Sequence, residues 1–179
     1  MHLLRLSLAL LTALTPLSAT AQDGRVWLYN RHVADSPLET VLNLGYGVPE
    51  SDDVQASMLC AIGANWIFAQ TLLAADVDGL AADAEVTLEV QAPGYSATFD
   101  AHVVRLEEFI HGVEFALPLD DDLWGVLMAG GSLSYGVSGH ARQTLPLDGA
   151  ADPAHEFLGD CLSIGDLAPE GQPAPAAKT

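Results

Sequence analysis

The sequence predicts a mainly β, α+β domain, built as a single antiparallel β-sandwich or small β-barrel with two short helices. Apolar and polar residues alternate with a period of two along several short segments, which is the pattern of strands with one buried face. Glycine- and proline-containing turns separate these segments. Two further segments, both in the C-terminal half, have the apolar spacing of helices.

The alternation is clearest in the middle of the chain. Val86, Leu88 and Val90 alternate with polar residues and predict one strand. The same pattern predicts strands over residues 99–103 and 113–117, and Pro93-Gly94 supplies a turn between the first two. The remaining strands are predicted over residues 26–30, 40–44, 56–62, 66–72 and 132–137.

Two helices are predicted in the C-terminal half of the chain. The acidic run 120–122 precedes an apolar segment that starts at Leu123, and Gly130-Gly131 follows it, so acids lie at the helix N-terminus and glycines at its C-terminus. The second helix is predicted to start at Asp152-Pro153, an N-cap followed by a first-turn proline. Cys161 lies on the apolar stripe of this helix.

The first 21 residues have the pattern of a cleavable secretory signal peptide. Arg5 is followed by an apolar run over residues 6–14, and small residues occupy positions 19–21. Cleavage after Ala21 leaves a β-rich domain over residues 22–165 and a disordered tail rich in proline and alanine over residues 166–179. The mature protein is therefore expected to be periplasmic or secreted.

One internal segment has the composition of a membrane span. Residues 54–75 contain no charged side chain, and that length reaches the minimum for a transmembrane helix. Asp53 and Asp76 flank the segment, however, and no lysine or arginine sets an orientation. Two buried strands joined at Gly63-Ala64-Asn65 are the preferred interpretation.

The charge excludes two classes of partner. The chain has 24 acidic residues and six basic ones, and signal cleavage removes Arg5. Binding to nucleic acids or anionic lipids depends on lysine and arginine at phosphate groups, so neither partner is expected, and no membrane association is expected after cleavage. The acidity is explained either by solubility or by recruitment of a cationic partner.

The two cysteines are expected to form a disulfide. Cys60 and Cys161 form an even pair in an exported domain, where thiols oxidise. Their bond would close a loop of about 100 residues, worth roughly 4–5 kcal/mol in the chain-entropy model. A redox or metal pair is disfavoured, because the chain has no CxxC motif and no adjacent histidines.

Motifs for catalysis or cofactors are scarce. The chain contains no G-x-S-x-G, H-E-x-x-H or P-loop motif, and no cofactor is predicted. The segment from Asp76 to Glu85 matches the later part of a calcium loop, but Ala74 occupies the first ligand position. An acidic hairpin loop is preferred to a calcium site, and no metal site is predicted.

The histidines suggest two weak alternatives. His32 with Asp35 and Ser36 has the residue types of a catalytic set, although closeness in sequence does not establish the geometry. His102 and His111 would approach each other if their strands pair as a hairpin. Surface or turn positions are the preferred interpretation for all of them.

Three features together resemble a family of small uncharacterised periplasmic proteins of alphaproteobacteria. They are the segment Gly45-Tyr46-Gly47-Val48-Pro49-Glu50-Ser51-Asp52-Asp53 before Cys60, the Leu123-Trp124 helix before a Gly-Gly strand, and the terminal helix containing Phe157 and Cys161. The resemblance implies a periplasmic location. The predicted architecture is also similar to that of periplasmic lysozyme inhibitors, whose Ser-Gly-x-x-Tyr loop is not present in this chain.

Two functions from different classes follow. The first is a non-enzymatic periplasmic or secreted binding or inhibitor module for a protein partner, which the acidity would allow to be cationic, with tyrosines and tryptophans in turns, such as Tyr46 and Tyr95, as candidate aromatic anchors. The second is an envelope-acting hydrolase that uses paired carboxylates from Glu107, Glu108 and Glu114. No catalytic residue is assigned, and the oligomeric state is not predicted.

Overall fold

The computed structural model describes residues 24–106 and 110–168. The predicted signal peptide, Glu107, Glu108 and residues 169–179 of the predicted tail lie outside these ranges. The strands are β1 (Val26–His32), β2 (Val41–Gly47), β3 (Val54–Ile62), β4 (Ile67–Ala74), β5 (Glu85–Ala92), β6 (Tyr95–Arg105), β7 (His111–Pro118), β8 (Ser132–Val137) and β9 (Gln143–Pro146). The helices are α1 (Leu123–Ala129) and α2 (Ala151–Leu162), and a 3-10 turn follows at Ile164–Asp166.

All nine strands of the described residues belong to one antiparallel sheet in the order β1-β2-β3-β4-β7-β6-β5-β8-β9. The sheet curls so strongly that its two edge strands approach each other. A hydrogen bond shows this: the indole Nε1–H of Trp27 on β1 donates to the carbonyl of Pro146 on β9, at 2.9 Å. The amide of Gln55 on β3 similarly donates to the carbonyl of Thr144, at 2.7 Å. The predicted mainly β fold class with two short helices is confirmed, and its form is a half-barrel.

The period-two pattern places the core on the concave face of the sheet. Leu88 and Val90 of β5 are fully buried, and Val103 of β6 and Val113 of β7, which pair with each other, continue the same layer. Pro93-Gly94 forms the turn between β5 and β6, with Gly94 at a φ of 77° that glycine adopts without strain. The strand predictions around this turn are therefore confirmed.

The two helices cover the concave face and complete the core. Phe157 of α2 is fully buried, with its ring 5.6 Å from that of Trp124 on α1 and 5.9 Å from that of Tyr29 on β1. The α1 prediction is confirmed, and Asp121 accepts the N–H of Leu123 at its start, at 2.8 Å. Helix α2 begins at Ala151, two residues before Pro153. The proline is tolerated there because first-turn N–H groups lack intrahelical partners.

The disulfide between Cys60 and Cys161 is confirmed, and it joins β3 to α2 across the core. The Cα atoms of the two residues lie 5.6 Å apart, and Cys161 is fully buried on the apolar face of the helix. The bond closes a loop with a sequence separation of 101 residues. It therefore fixes the C-terminal helix to a strand from the first half of the chain.

The uncharged segment 54–75 forms the hairpin of β3 and β4, as the preferred interpretation expected. Gly63 closes the turn by donating its N–H to the carbonyl of Trp66, at 2.8 Å. Across residues 24–106 and 110–168, no helix has the length and apolarity needed to cross a membrane.

A short last strand, β9, was not predicted from the sequence. Gln143 and Pro146 bound only four residues, of which Leu145 alone is fully buried. Tyr135 on the neighbouring β8 is fully buried and donates its hydroxyl to the carbonyl of Ala74, at 2.7 Å. Burial raises the pKa of Tyr135 to about 12, so this donor stays protonated even in moderately alkaline solution.

Candidate functional site

The two tyrosines predicted as binding anchors occupy different environments. Tyr46 is only 3% exposed and packs on Trp27, with ring centroids 5.3 Å apart, so it belongs to the core and is not an exposed anchor. The turn-like glycines on either side of it lie within strand β2, whose alternation directs Tyr46 inward. Tyr95 is half-buried and donates its hydroxyl to Asp121, at 2.8 Å. Burial and this carboxylate raise the pKa of Tyr95.

In the part of the chain that the structure describes, no hydrogen bond links the side chains of His32, Asp35 and Ser36 to one another. His32 is exposed at the end of β1. Ser36 stabilises the following turn instead, because its hydroxyl accepts the N–H of Leu38 and its carbonyl accepts the hydroxyl of Thr40. This arrangement provides a structural role for the serine.

The alternative in which His102 and His111 approach each other is wrong, although their strands do pair. The register of β6 and β7 places His102 opposite Glu114 and His111 opposite Arg105. The two histidines are therefore offset by three positions, about 10 Å along the strands. His102 instead lies beside Glu114, with 3.5 Å between Nε2 and Oε1.

The carboxylates of the calcium-like segment are used within their own loop. Asp76 accepts the N–H groups of Asp78 and Ala141, each at 3.2 Å. These backbone hydrogen bonds lower the pKa of the Asp76 carboxyl. Glu85 begins strand β5. No group of three or more histidine, cysteine, aspartate or glutamate side chains that could hold a metal ion occurs among the described residues.

A polar cleft of about 590 Å³ lies at one end of the half-barrel, and sequence reasoning missed it. Its lining combines Asp53, Asp76 and His111 with two arginines. Arg25 forms a two-oxygen ion pair with Asp53, at 2.7 and 2.9 Å. Arg25, Asp53 and Asp76 of this cleft therefore already have partners within the protein.

Comparison of the chain with protein-family models, with curated proteins and with solved structures finds no match. The function is therefore inferred from the residues themselves. Three features carry that inference: an acidic surface, the pairing of the arginines and an exposed tryptophan.

The first surface lies on the convex side of β5 and β6, and we call it the acidic face. Asp83, Glu85 and Asp100 are its exposed carboxylates, and they line a cleft of about 730 Å³. The strand register places Glu85 opposite His102 and Thr87 opposite Asp100, so the two carboxylates are diagonal neighbours. No described residue pairs with these three carboxylates by a hydrogen bond or a salt bridge.

The second feature is that the arginine side chains are bound by oxygen atoms of the protein itself. No lysine occurs in the described ranges, and each of their four arginines binds oxygen atoms of this chain through its guanidinium group. The pairings are Arg25 with Asp53, Arg31 with Asp160, Arg142 with Glu89, and Arg105 with the carbonyls of Val77 and Leu80. Arg142 lies on the same side of β5 but is occupied by Glu89, so Asp83, Glu85 and Asp100 have no arginine partner among the described residues.

Among the described residues, the exposed large aromatic side chain is that of Trp66, at the end of the β3–β4 turn, and not that of Tyr46 or Tyr95. Trp66 follows the β3–β4 turn and is 48% exposed. Trp27 and Trp124 are buried, and their indole N–H groups donate to the carbonyls of Pro146 and Pro118. The sequence signal for Trp66 was its position beside Gly63-Ala64-Asn65, the turn that joins two predicted strands.

Proposed function

We propose that this protein is an exported, non-enzymatic binding module, of inhibitor type, for a cationic protein. The observation that carries the proposal is that the exposed carboxylates of the acidic face have no arginine partner in the described part of the chain. The acidic face presents Asp83, Glu85 and Asp100 to solvent, while the arginines are held by the protein's own oxygen atoms. A field of one sign attracts a basic partner and increases its association rate.

The geometry favours binding over the hydrolase alternative. A retaining or inverting glycosidase needs two carboxyl groups across a cleft, one of them with a raised pKa. Asp76 in the polar cleft has a lowered pKa, and Asp53 in the same cleft is paired with Arg25. Glu85 and Asp100 share a cleft but lie side by side on one face of β5 and β6, not on opposite walls. Glu114 lies on the same convex side beside His102, and Glu107 and Glu108 lie outside the described residues.

Export is part of the proposal and has its own test. The signal-like N-terminus and the Cys60–Cys161 disulfide both support an oxidising compartment outside the cytoplasm. Protein recovered from the periplasm or medium is expected to begin at Gln22, as measured by N-terminal sequencing. Recovery of the protein in the cytoplasm or membrane fraction with Met1 intact would contradict export.

The binding activity is tested by capture from an envelope extract at low and high salt. The mature protein is expected to retain a basic protein at about 0.01 M salt, where the Debye length is ~30 Å. The triple variant Asp83→Asn, Glu85→Gln, Asp100→Asn is expected to associate with that purified protein about five- to tenfold more slowly, because the attraction that guides encounter is reduced. Association rates measured by surface plasmon resonance check this expectation.

A matched variant separates the acidic face from net charge. Asp35→Asn, Glu39→Gln and Asp52→Asn remove the same number of exposed carboxylates from loops outside β5 and β6, and this variant should bind nearly as well as the native protein. Equal losses in both variants would mean that bulk charge alone is responsible. If the protein hydrolyses peptidoglycan and a change of one carboxylate abolishes that activity, the protein is a hydrolase and not a binding module.

A further inference from the structure

The exposed Trp66 is held in one position by its own neighbours. Its ring stacks on that of Phe68, with centroids 4.3 Å apart and an interplanar angle of 22°. Gly63 lies against the Cδ1 and Nε1 atoms of the indole, because an added Cβ atom there would come within 2.9 Å of each. The indole is therefore positioned before any partner arrives, which reduces the entropy lost on binding.

Apolar residues from two other elements extend the surface around Trp66. Leu162, the last residue of α2, is 61% exposed and lines a cleft of about 490 Å³ together with Trp66, Ile67 and Leu119. We call the exposed surface formed by Trp66, Phe68, Leu119 and Leu162 the aromatic tip. The disulfide of Cys161, the residue next to Leu162, ties this end of α2 to the strand that leads into the β3–β4 turn.

A carboxylate borders the aromatic tip. Asp120 is exposed and lines the same cleft, and no hydrogen bond or salt bridge pairs its side chain with another described residue. An apolar, aromatic centre with a charged border is the arrangement of residues that carry most of the binding energy in protein interfaces. The sign of the border fits a basic partner.

We propose that the aromatic tip is the docking surface for the cationic partner, and that it receives an arginine with an adjacent apolar side chain. A planar guanidinium can stack on the indole face of Trp66 that Phe68 does not cover and donate to the carboxylate of Asp120 at the same time. The apolar neighbour would fill the cleft beside Leu162. This inference rests on the proposed function and names the surface that provides its specificity.

A second copy of the chain is a poorer occupant of the same surface. Every arginine in the described ranges is bound by an oxygen atom of its own chain. Two chains with a formal net charge of −18 each also repel one another. A basic partner meets neither obstacle.

The tryptophans provide a built-in reporter for the test. Trp27 and Trp124 are 5% and 2% exposed, so quenching of fluorescence by the neutral quencher acrylamide reports mainly on Trp66. The probes are the peptides acetyl-Arg-Leu-Arg-Leu-Arg-amide and acetyl-Arg-Gly-Arg-Gly-Arg-amide, which carry the same charge. The leucine peptide is expected to protect Trp66 from acrylamide and to bind at least about tenfold more tightly than the glycine peptide.

Variants locate the contact. Trp66→Ala and Leu162→Ala are each expected to weaken binding of the leucine peptide about tenfold by calorimetry, and Trp66→Phe should lose less because an aromatic ring remains. Leu38→Ala is the matched control, since Leu38 is 78% exposed and lies in the β1–β2 loop, and it should bind normally. Circular dichroism melting curves verify that each variant is folded.

Each other outcome overturns a defined statement. Equal binding of both peptides, or normal binding by folded Trp66→Ala and Leu162→Ala, would overturn the aromatic tip. The proposed function would survive that result if the acidic-face variant still bound its basic partner more slowly. Absence of binding by either peptide at 0.01 M salt, together with no capture of a basic protein, would overturn both.

Discussion

Reduction of the Cys60–Cys161 disulfide is expected to lower the free energy of unfolding by about 4–5 kcal/mol. The bond spans 101 residues of sequence, so breaking it restores a large loop entropy to the unfolded chain. Urea unfolding followed by tryptophan fluorescence, with and without reductant, measures the change. A marginally stable domain would lose most of its stability on reduction.

A double variant provides the control for reduction. Cys60→Ala with Cys161→Ala should unfold at the same urea concentration as the reduced native protein, and reductant should not affect it. Alanine is preferred to serine because Cys161 is fully buried, and a hydroxyl there would need a hydrogen-bond partner. A difference below about 1 kcal/mol between oxidised and reduced protein would contradict the loop-entropy explanation.

Phe157→Ala is expected to destabilise the domain by about 3–5 kcal/mol. The ring is fully buried and contacts Trp124 on α1 and Tyr29 on β1, so its removal opens a cavity where both helices meet the sheet. The hydroxyl of Tyr29 also donates to Asp160 on α2, at 2.8 Å. Loosening of α2 should therefore disturb this polar contact as well, and urea unfolding gives the total.

The matched control for this substitution is an apolar residue on the surface. Leu38→Ala removes side-chain atoms that are already in water, and we expect a change within about 0.5 kcal/mol. If Phe157→Ala also changed stability by less than 1 kcal/mol, α2 would contribute little to the core. In that case the disulfide and the contacts of Asp160 with Tyr29 and Arg31 would hold the helix to the sheet.

Local patterns were sufficient for much of the fold. The alternation at Val86, Leu88 and Val90 predicted β5, and the acidic run before Leu123 predicted α1, because both patterns depend on neighbouring residues. Strand β9 is too short to show a period, and it is held by pairing with β8. The start of α2 differed from its prediction by two residues, since a proline is accepted at several first-turn positions.

The site depended on contacts between distant parts of the chain. A tyrosine between glycines, Tyr46, was predicted to be an exposed anchor, yet its strand directs it into the core. Trp66, which lies in a segment predicted as buried strands, is the exposed ring. Exposure follows from which face of the sheet the helices cover, and no local pattern contains that information.

The sequence by itself determined the acidic character, the mainly β class and the pairing of the two cysteines. Composition is independent of folding, period two is a local consequence of the extended backbone, and two cysteines have only one intramolecular pairing. Only the tertiary structure decided which charges are neutralised and where the aromatic tip lies. Arg31 contacts Asp160, which is 129 residues away in the sequence, and Leu162 of α2 lies beside Trp66 of the β3–β4 turn. Both contacts depend on long-range packing, which local sequence patterns do not contain.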